Sequence, residues 1–179
     1  MFETVRNAFK IKDLRKKIFY TLFALVVVRI GCQLPVPGVD GSVVSDWFEQ
    51  TKSLDFVNQL TGGSFESMSI FALNITPYIT ASIILQLLTI AIPRLEELHK
   101  DGEEGRKKIT EYTRYVTILL AVMESAALAI GFGNQGYLTD GVSFTSVSVI
   151  IVSLTAGSAF LMWLGEQITD KGVGNGISI

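Results

Sequence analysis

Residues Ser69–Ile92 read SIFALNITPYITASIILQLLTIAI, and no charged side chain occurs between Ser67 and Pro93. At about 1.5 Å of rise per residue the run is long enough to cross the roughly 30 Å hydrocarbon layer of a bilayer. It is nevertheless studded with Asn74, Thr76, Thr80, Ser82 and Gln86, and broken by Pro77. Amides and hydroxyls cost free energy in lipid unless they find partners or water. Helical spacing of about 100° per residue puts Ile75, Ile79, Ser82 and Gln86 on one stripe. Branched aliphatics mixed with Ser and Gln suit a protein-lined, partly wet pathway. A polytopic helix with ordinary polar packing residues is the alternative.

The remainder of the chain fits an all-α, polytopic membrane protein. Of 179 residues, 49% are hydrophobic and 18% charged, and the apolar residues fall in blocks. That charged fraction is below the roughly one quarter usual for soluble domains. The net charge of −2 says little about partners, because the charges are segregated by segment. The single cysteine, Cys32, forms no internal disulfide and reads as a small apolar packing residue.

Residues 1–17 are basic, with Val5, Phe9, Ile11 and Leu14 at helix-like spacing, and read as an amphipathic segment on an anionic leaflet. Ile18–Val36 reads as a retained first span, since no small-residue pair marks a cleavage site. Arg29, near its far end, snorkels or pairs. Pro35-Val36-Pro37-Gly38 stops the helix. Val43, Val44, Trp47 and Phe48 then share a helical face suited to the interface. A short apolar segment over 54–68, with Phe56, Val57 and Leu60 ahead of Gly62-Gly63, reads as re-entrant. Such backbone is tolerated at membrane depth only where protein or a cavity shields it.

Beyond the second span (69–92), residues 93–114 form a charged loop of two solvated helix ends around Gly102–Gly105, with His99 on the surface. The third span, about 115–132, carries Glu124 near its middle, and an intramembrane carboxylate is a candidate functional group. A glycine-rich loop precedes the fourth span, about 146–168, where Gly157 and its small neighbours permit close approach and Trp163 and Glu166 lie at the far end. Apolar sequence restarts at Gly176-Ile177-Ser178-Ile179, as if a fifth span followed.

Basic residues fix the expected orientation. Arg6, Lys10, Lys12, Arg15, Lys16 and Lys17 flank the first span, and the 93–114 loop is similarly basic. The 39–67 loop has only Lys52, and 131–145 has neither Lys nor Arg. The positive-inside rule then places the N-terminus and the 93–114 loop in the cytoplasm.

No catalytic constellation is present, and neither cofactor nor metal is expected. One histidine and one cysteine cannot build a His/Cys metal site. Gly172-Val173-Gly174-Asn175-Gly176 lacks the strand and the Lys-Ser/Thr of a phosphate loop. Acids interleave with bases in 93–114, which argues against nucleic-acid readout.

Four stretches, RIGCQLPVPGVD (Arg29–Asp40), SIFALNITPYITASIILQLL (Ser69–Leu88), EEGRKKITEYTRY (Glu103–Tyr115) and FLMWLGEQITDKGVGNGISI (Phe160–Ile179), together resemble the SecY family of bacterial protein-conducting channels. The resemblance implies the first four helices of a ten-helix, inverted-repeat channel in the cytoplasmic membrane. It implies that Ile75 and Ile79 belong to an apolar pore ring. Thr80, Gln86 and Glu124 would serve a lateral gate, and the 54–68 segment, with Phe56, Val57, Leu60, Gly62 and Gly63, would be a plug. It also implies SecE and SecG as membrane partners, a SecA motor or a ribosome on the cytoplasmic side, and signal sequences and nascent chains as cargo. Asn74 and Thr76 flanking Ile75, and the acid at 124, are departures that leave the polarity of this gate open. Two other readings remain: half of a secondary transporter with Glu124 as coupling carboxylate, or an assembly fragment that does not translocate.

Overall fold

The computed structural model describes residues 11–41, 64, 67–139, 141 and 143–178. They form five helices: α1 (Lys12–Gly31), α2 (Thr76–Ala91), α3 (Pro93–Lys100), α4 (Gly102–Asn134) and α5 (Phe144–Lys171). Among the described residues there is no strand, only isolated bridges pairing Pro35 with Ser69 and Val39 with Leu138. The re-entrant segment with Phe56, Val57, Leu60, Gly62 and Gly63 lies outside the described residues, as do the 43–48 face and residues 1–10.

The expected spans change in instructive ways. The first begins earlier and ends sooner, at Gly31, because the following residues are drawn into an extended segment. Leu34 accepts from Ile70 N at 2.9 Å and Val36 N donates to Met68 O at 2.8 Å. Further on, Asp40 N reaches Tyr137 O at 3.1 Å. Helix α1 therefore keeps Arg15, Lys16, Lys17 and Arg29 within 20 residues. The uncharged stretch Ile18–Val28 rises only about 16 Å.

The second span is broken. Ser69–Ile75 is non-helical, and α2 has 16 residues, about 24 Å. Ile92 is extended and Pro93 opens α3, so the chain bends by 103° between α2 and α3. The charged connection is helical on both sides of Asp101: α3 ends at Lys100, and the part from Gly102 onward continues unbroken into α4. The glycine-rich loop is likewise shorter than expected, since α4 runs on to Asn134.

Among the described residues, α4 and α5 are by length and composition apolar enough to cross a membrane, and the bent α2–α3 pair passes the same test when its two helices are taken together.

Packing follows from small residues. Thr113, Thr117, Ala121, Ser125 and Ala129 repeat every fourth residue along the buried stripe of α4. The hydroxyls are satisfied locally, Thr113 donating to Ile109 O at 2.9 Å and Thr117 to Thr113 O at 2.7 Å. Such side chains allow close helix approach without orphaned polar groups. Ser125 and Thr155 join α4 to α5 through a 3.2 Å hydroxyl pair. Helix α4 packs against α5, α2 and α3, and α5 in turn packs against α1 through Ala24, Leu164 and Ile168. The main core joins Met68, Ala72 and Leu73 to Ala121, Ile150 and Leu154. Cys32 is buried beside Phe71 and Leu161, the packing role expected of it.

Candidate functional site

The site begins where the second span breaks. Asn74 holds a left-handed backbone, φ +53°, a conformation that Asn tolerates better than most residues. Its Oδ1 accepts Ile75 N at 2.9 Å, at the residue that caps α2. Pro77 sits in the first turn, where its missing N–H costs nothing.

The irregular turn before α2 is seated on glycines. A Cβ at Gly157 of α5 would overlap the Ile70 carbonyl oxygen, and one at Gly31 would overlap the Phe71 ring. Ser158 Oγ donates to Asn74 O at 3.2 Å, and Phe71 stacks on Phe160 at 6.0 Å between centroids. Gly157 thus serves a close approach, as its composition suggests. Its partner is the turn's backbone where a neighbouring helix would be the ordinary choice.

Helix α2 then turns Pro77, Ala81 and Leu85 inward, while Ile83, Leu87 and Ile90 on other faces stay exposed. The sequence stripe meets different surroundings along its length. Ile75 is half-buried at a cavity of about 140 Å³ lined by Leu25, Val28, Leu161, Leu164 and Ile177. Ile79, one turn on, is 43% exposed, and Thr80 is half-buried. Ser82 and Gln86 instead line a cavity of about 300 Å³ at the charged end, with His99, Arg106 and Thr110. There Gln86 Nε2 donates to Ser82 Oγ at 3.4 Å.

The three candidate gate residues are not gathered. Gln86 shares its cavity with Arg106–Thr113, whereas Glu124 lies about three turns, roughly 16 Å of rise, beyond Thr113 on the same helix. Glu124 is half-buried and makes no hydrogen bond or ion pair among the described residues.

Sequence reasoning missed one ion pair. Arg114 Nε donates to Glu166 Oε1 at 2.9 Å and a terminal nitrogen to Oε2 at 2.8 Å, tying α4 to α5 at the charged end. The signal was available, since both residues sit at the same-side ends of neighbouring spans. The Glu166 side chain is 17% exposed and that of Arg114 48%. Hydrogen bonds to charged groups contribute about 1.5–3 kcal/mol, less when solvent screens them, so Arg114→Ala is expected to cost about 1–2 kcal/mol. Denaturation of the purified protein in detergent checks this. Arg114→Lys should recover only part, having lost the fork geometry, and equal midpoints for all three proteins would refute it.

The Gly172–Gly176 stretch is a backbone latch. Val173 N donates to Thr21 Oγ1 at 3.1 Å and Gly176 N to Thr169 Oγ1 at 2.9 Å. It follows a helix, and two of its N–H groups are consumed by threonines.

A SecY family model matches residues 69–179, more than half of the sequence. The chain belongs to the SecY family. It is 48% identical to a protein translocase subunit SecY of Streptomyces scabiei, covering 100% of this chain and 44% of that one. It is 46% identical to the Escherichia coli SecY, over 93% of this chain and 39% of the relative. The chain therefore spans less than half the length of these relatives. A Sec61 channel solved in a canine ribosome–channel complex from the endoplasmic reticulum has the same fold over 91% of this chain and 34% of its own, with TM-score 0.60 at 21% identity. Like other SecY members, this is a multi-pass membrane protein.

Proposed function

We propose that the sequence is the N-terminal part of a SecY protein-conducting channel, passing secretory polypeptides across the cytoplasmic membrane and membrane segments sideways into lipid. What carries the proposal is the whole-chain identity of 48% to a translocase subunit, together with a second span that breaks where its branched aliphatic residues begin. Ile75 and Ile79 are the proposed ring residues. A ring of branched side chains yields around a moving peptide, needs no specific hydrogen bonds, and sheds water when empty. No bond is made or broken, so this subunit is no enzyme.

Thr80 and Glu124 are proposed as separate contributors to a lateral gate, and Gln86 as part of the charged end. Residues 54–68 are the proposed plug. The basic flanks support a cytoplasmic N-terminus and a cytoplasmic α3. The proposed partners are SecE and SecG in the membrane and a SecA motor or a ribosome at the cytoplasmic face. The solved canine relative is itself in a ribosome complex.

The test is a crosslink. In a full-length SecY channel whose N-terminal part is this sequence, a cysteine at Ile79 should crosslink to a stalled translocating polypeptide. A cysteine at Leu119, exposed on α4, should not. Equal yields at both positions, or none at Ile79, would remove the pathway reading.

A further inference from the structure

The Ser69–Ile75 turn is more completely tied down than an irregular connection requires. Ser69 N donates to Ser64 O at 2.9 Å, Ile70 N to Leu34 O at 2.9 Å, and Ala72 N to Ser69 O at 2.9 Å. Phe71 N donates to Ser69 Oγ at 3.2 Å, Asn74 N to Phe71 O at 2.8 Å, and Ile75 N to Asn74 Oδ1. Ser69 and Met68 are fully buried. Nearly every donor of the turn is spent on protein, as backbone at membrane depth demands.

The last of these bonds matters most. The Ile75 carbonyl accepts both Tyr78 N at 3.0 Å and Ile79 N at 3.1 Å. Ile75 and Ile79 are therefore the first rungs of α2, and their height is fixed at the residue before them. That residue is Asn74, held from outside by Ser158 Oγ and, through the Ile70 carbonyl, by the bare surface of Gly157.

We infer that Asn74 and Ser158 are positioning residues for the pore ring: the left-handed turn at Asn74, clamped to α5, sets where α2 starts and so where Ile75 and Ile79 stand. This rests on the ring reading above. Asn74 contributes two separable things, a tolerance for positive φ and a side-chain cap on Ile75. Glycine keeps the first and alanine keeps neither. Left-handed backbone disfavours alanine enough to shift the population of the turn by about fivefold or more.

The experiment measures resting ion conductance per channel, and in parallel the protease-resistant amount of channel, for a full-length SecY channel carrying this sequence. Ile75→Ser is the reference for a damaged ring. Asn74→Ala and Ser158→Ala should raise conductance per channel about fivefold or more in the direction of Ile75→Ser, while Asn74→Gly, which keeps the turn but loses the cap, should raise it less than Asn74→Ala. Should Asn74→Ala not accumulate, Ser158→Ala alone decides. If Ile75→Ser leaks and the alanine variants only lower the amount of channel, their role is structural and the inference is wrong while the ring stands. If Ile75→Ser itself does not leak, the ring reading fails and takes the inference with it.

Discussion

A leucine at Gly157 is expected to prevent the chain from accumulating in folded form. Even the first carbon of that side chain would overlap the Ile70 carbonyl oxygen and approach the Phe71 ring within 3.2 Å. The oxygen cannot retreat freely, because Ile70 N is bonded to Leu34 O and Phe71 is stacked on Phe160. Overpacking by single methylenes already costs about 1–3 kcal/mol, and here backbone must move as well, so the loss consumes most of the 5–15 kcal/mol typical of a domain. Gly157→Ala already sets that first carbon against the oxygen, so it should lose about 3 kcal/mol or more, though less than leucine. Gly131 is the control, since nothing lies within 4 Å of the Cβ it would carry on α4. There alanine should be neutral or stabilising by up to about 1 kcal/mol, the helix-propensity difference. Protease-resistant yield from membranes and unfolding midpoints in detergent measure all three. A Gly157→Leu protein as abundant and stable as the parent would mean the turn does not sit on α5.

Why one glycine carries so much is a matter of where the irregular backbone lies. A span that starts partway through the membrane exposes carbonyls and N–H groups that helix would have satisfied, and lipid offers no water to replace the lost bonds. The chain answers by threading Leu34–Val36 beside Met68–Ile70 and by removing side chains at Gly31 and Gly157. The expectation of a continuous second span missed this, because hydropathy registers apolar content and is blind to backbone conformation. Asn74 and Pro77 were the visible warnings. The first span was over-extended for a related reason: Leu34 and Val36 are apolar enough to continue a helix, and it is their pairing with a segment more than thirty residues away that ends it. By contrast α4 and α5 were legible, their apolar runs being long, uninterrupted and free of competing long-range pairing.

The candidate site was legible in kind and less so in arrangement. Ile75, Ile79, Ser82 and Gln86 do share a stripe of α2, yet the bend at Ile92–Pro93 brings His99 and Arg106 beside Ser82 and Gln86 and leaves the isoleucines elsewhere. Periodicity reports which residues share a face of one helix. What that face meets depends on the next turn of the chain, and no helical wheel contains it. Arg114 and Glu166 sit at same-side ends of neighbouring spans in the sequence, but only the packed helices show that the guanidinium meets the carboxylate.

Replacing Ile75 and Ile79 together by serine is expected to make a full-length channel leak ions at rest. The two residues are one helical turn apart, with Ile79 already open on the surface of α2 and Ile75 facing the small cavity between α1 and α5. Neither is among the buried residues of α2, Pro77, Ala81 and Leu85, which lie on another face of the helix, so the fold should survive the change. A constriction of branched aliphatics holds back ions by dewetting, and each fully buried side chain of that size is worth about 1.5–3 kcal/mol of apolar surface. Losing even about 1.4 kcal/mol of that barrier raises the wet population tenfold, so the double substitution should raise resting conductance by about tenfold or more. Selectivity should relax with it, because a wetter pore demands less of a signal sequence before it opens. The matched control is Ile83→Ser and Ile90→Ser, two exposed positions farther along α2 and away from the proposed ring. Leak from that control equal to the Ile75/Ile79 variant, or conductance and selectivity unchanged in both, would sink the ring and leave α2 a packing helix with polar decoration.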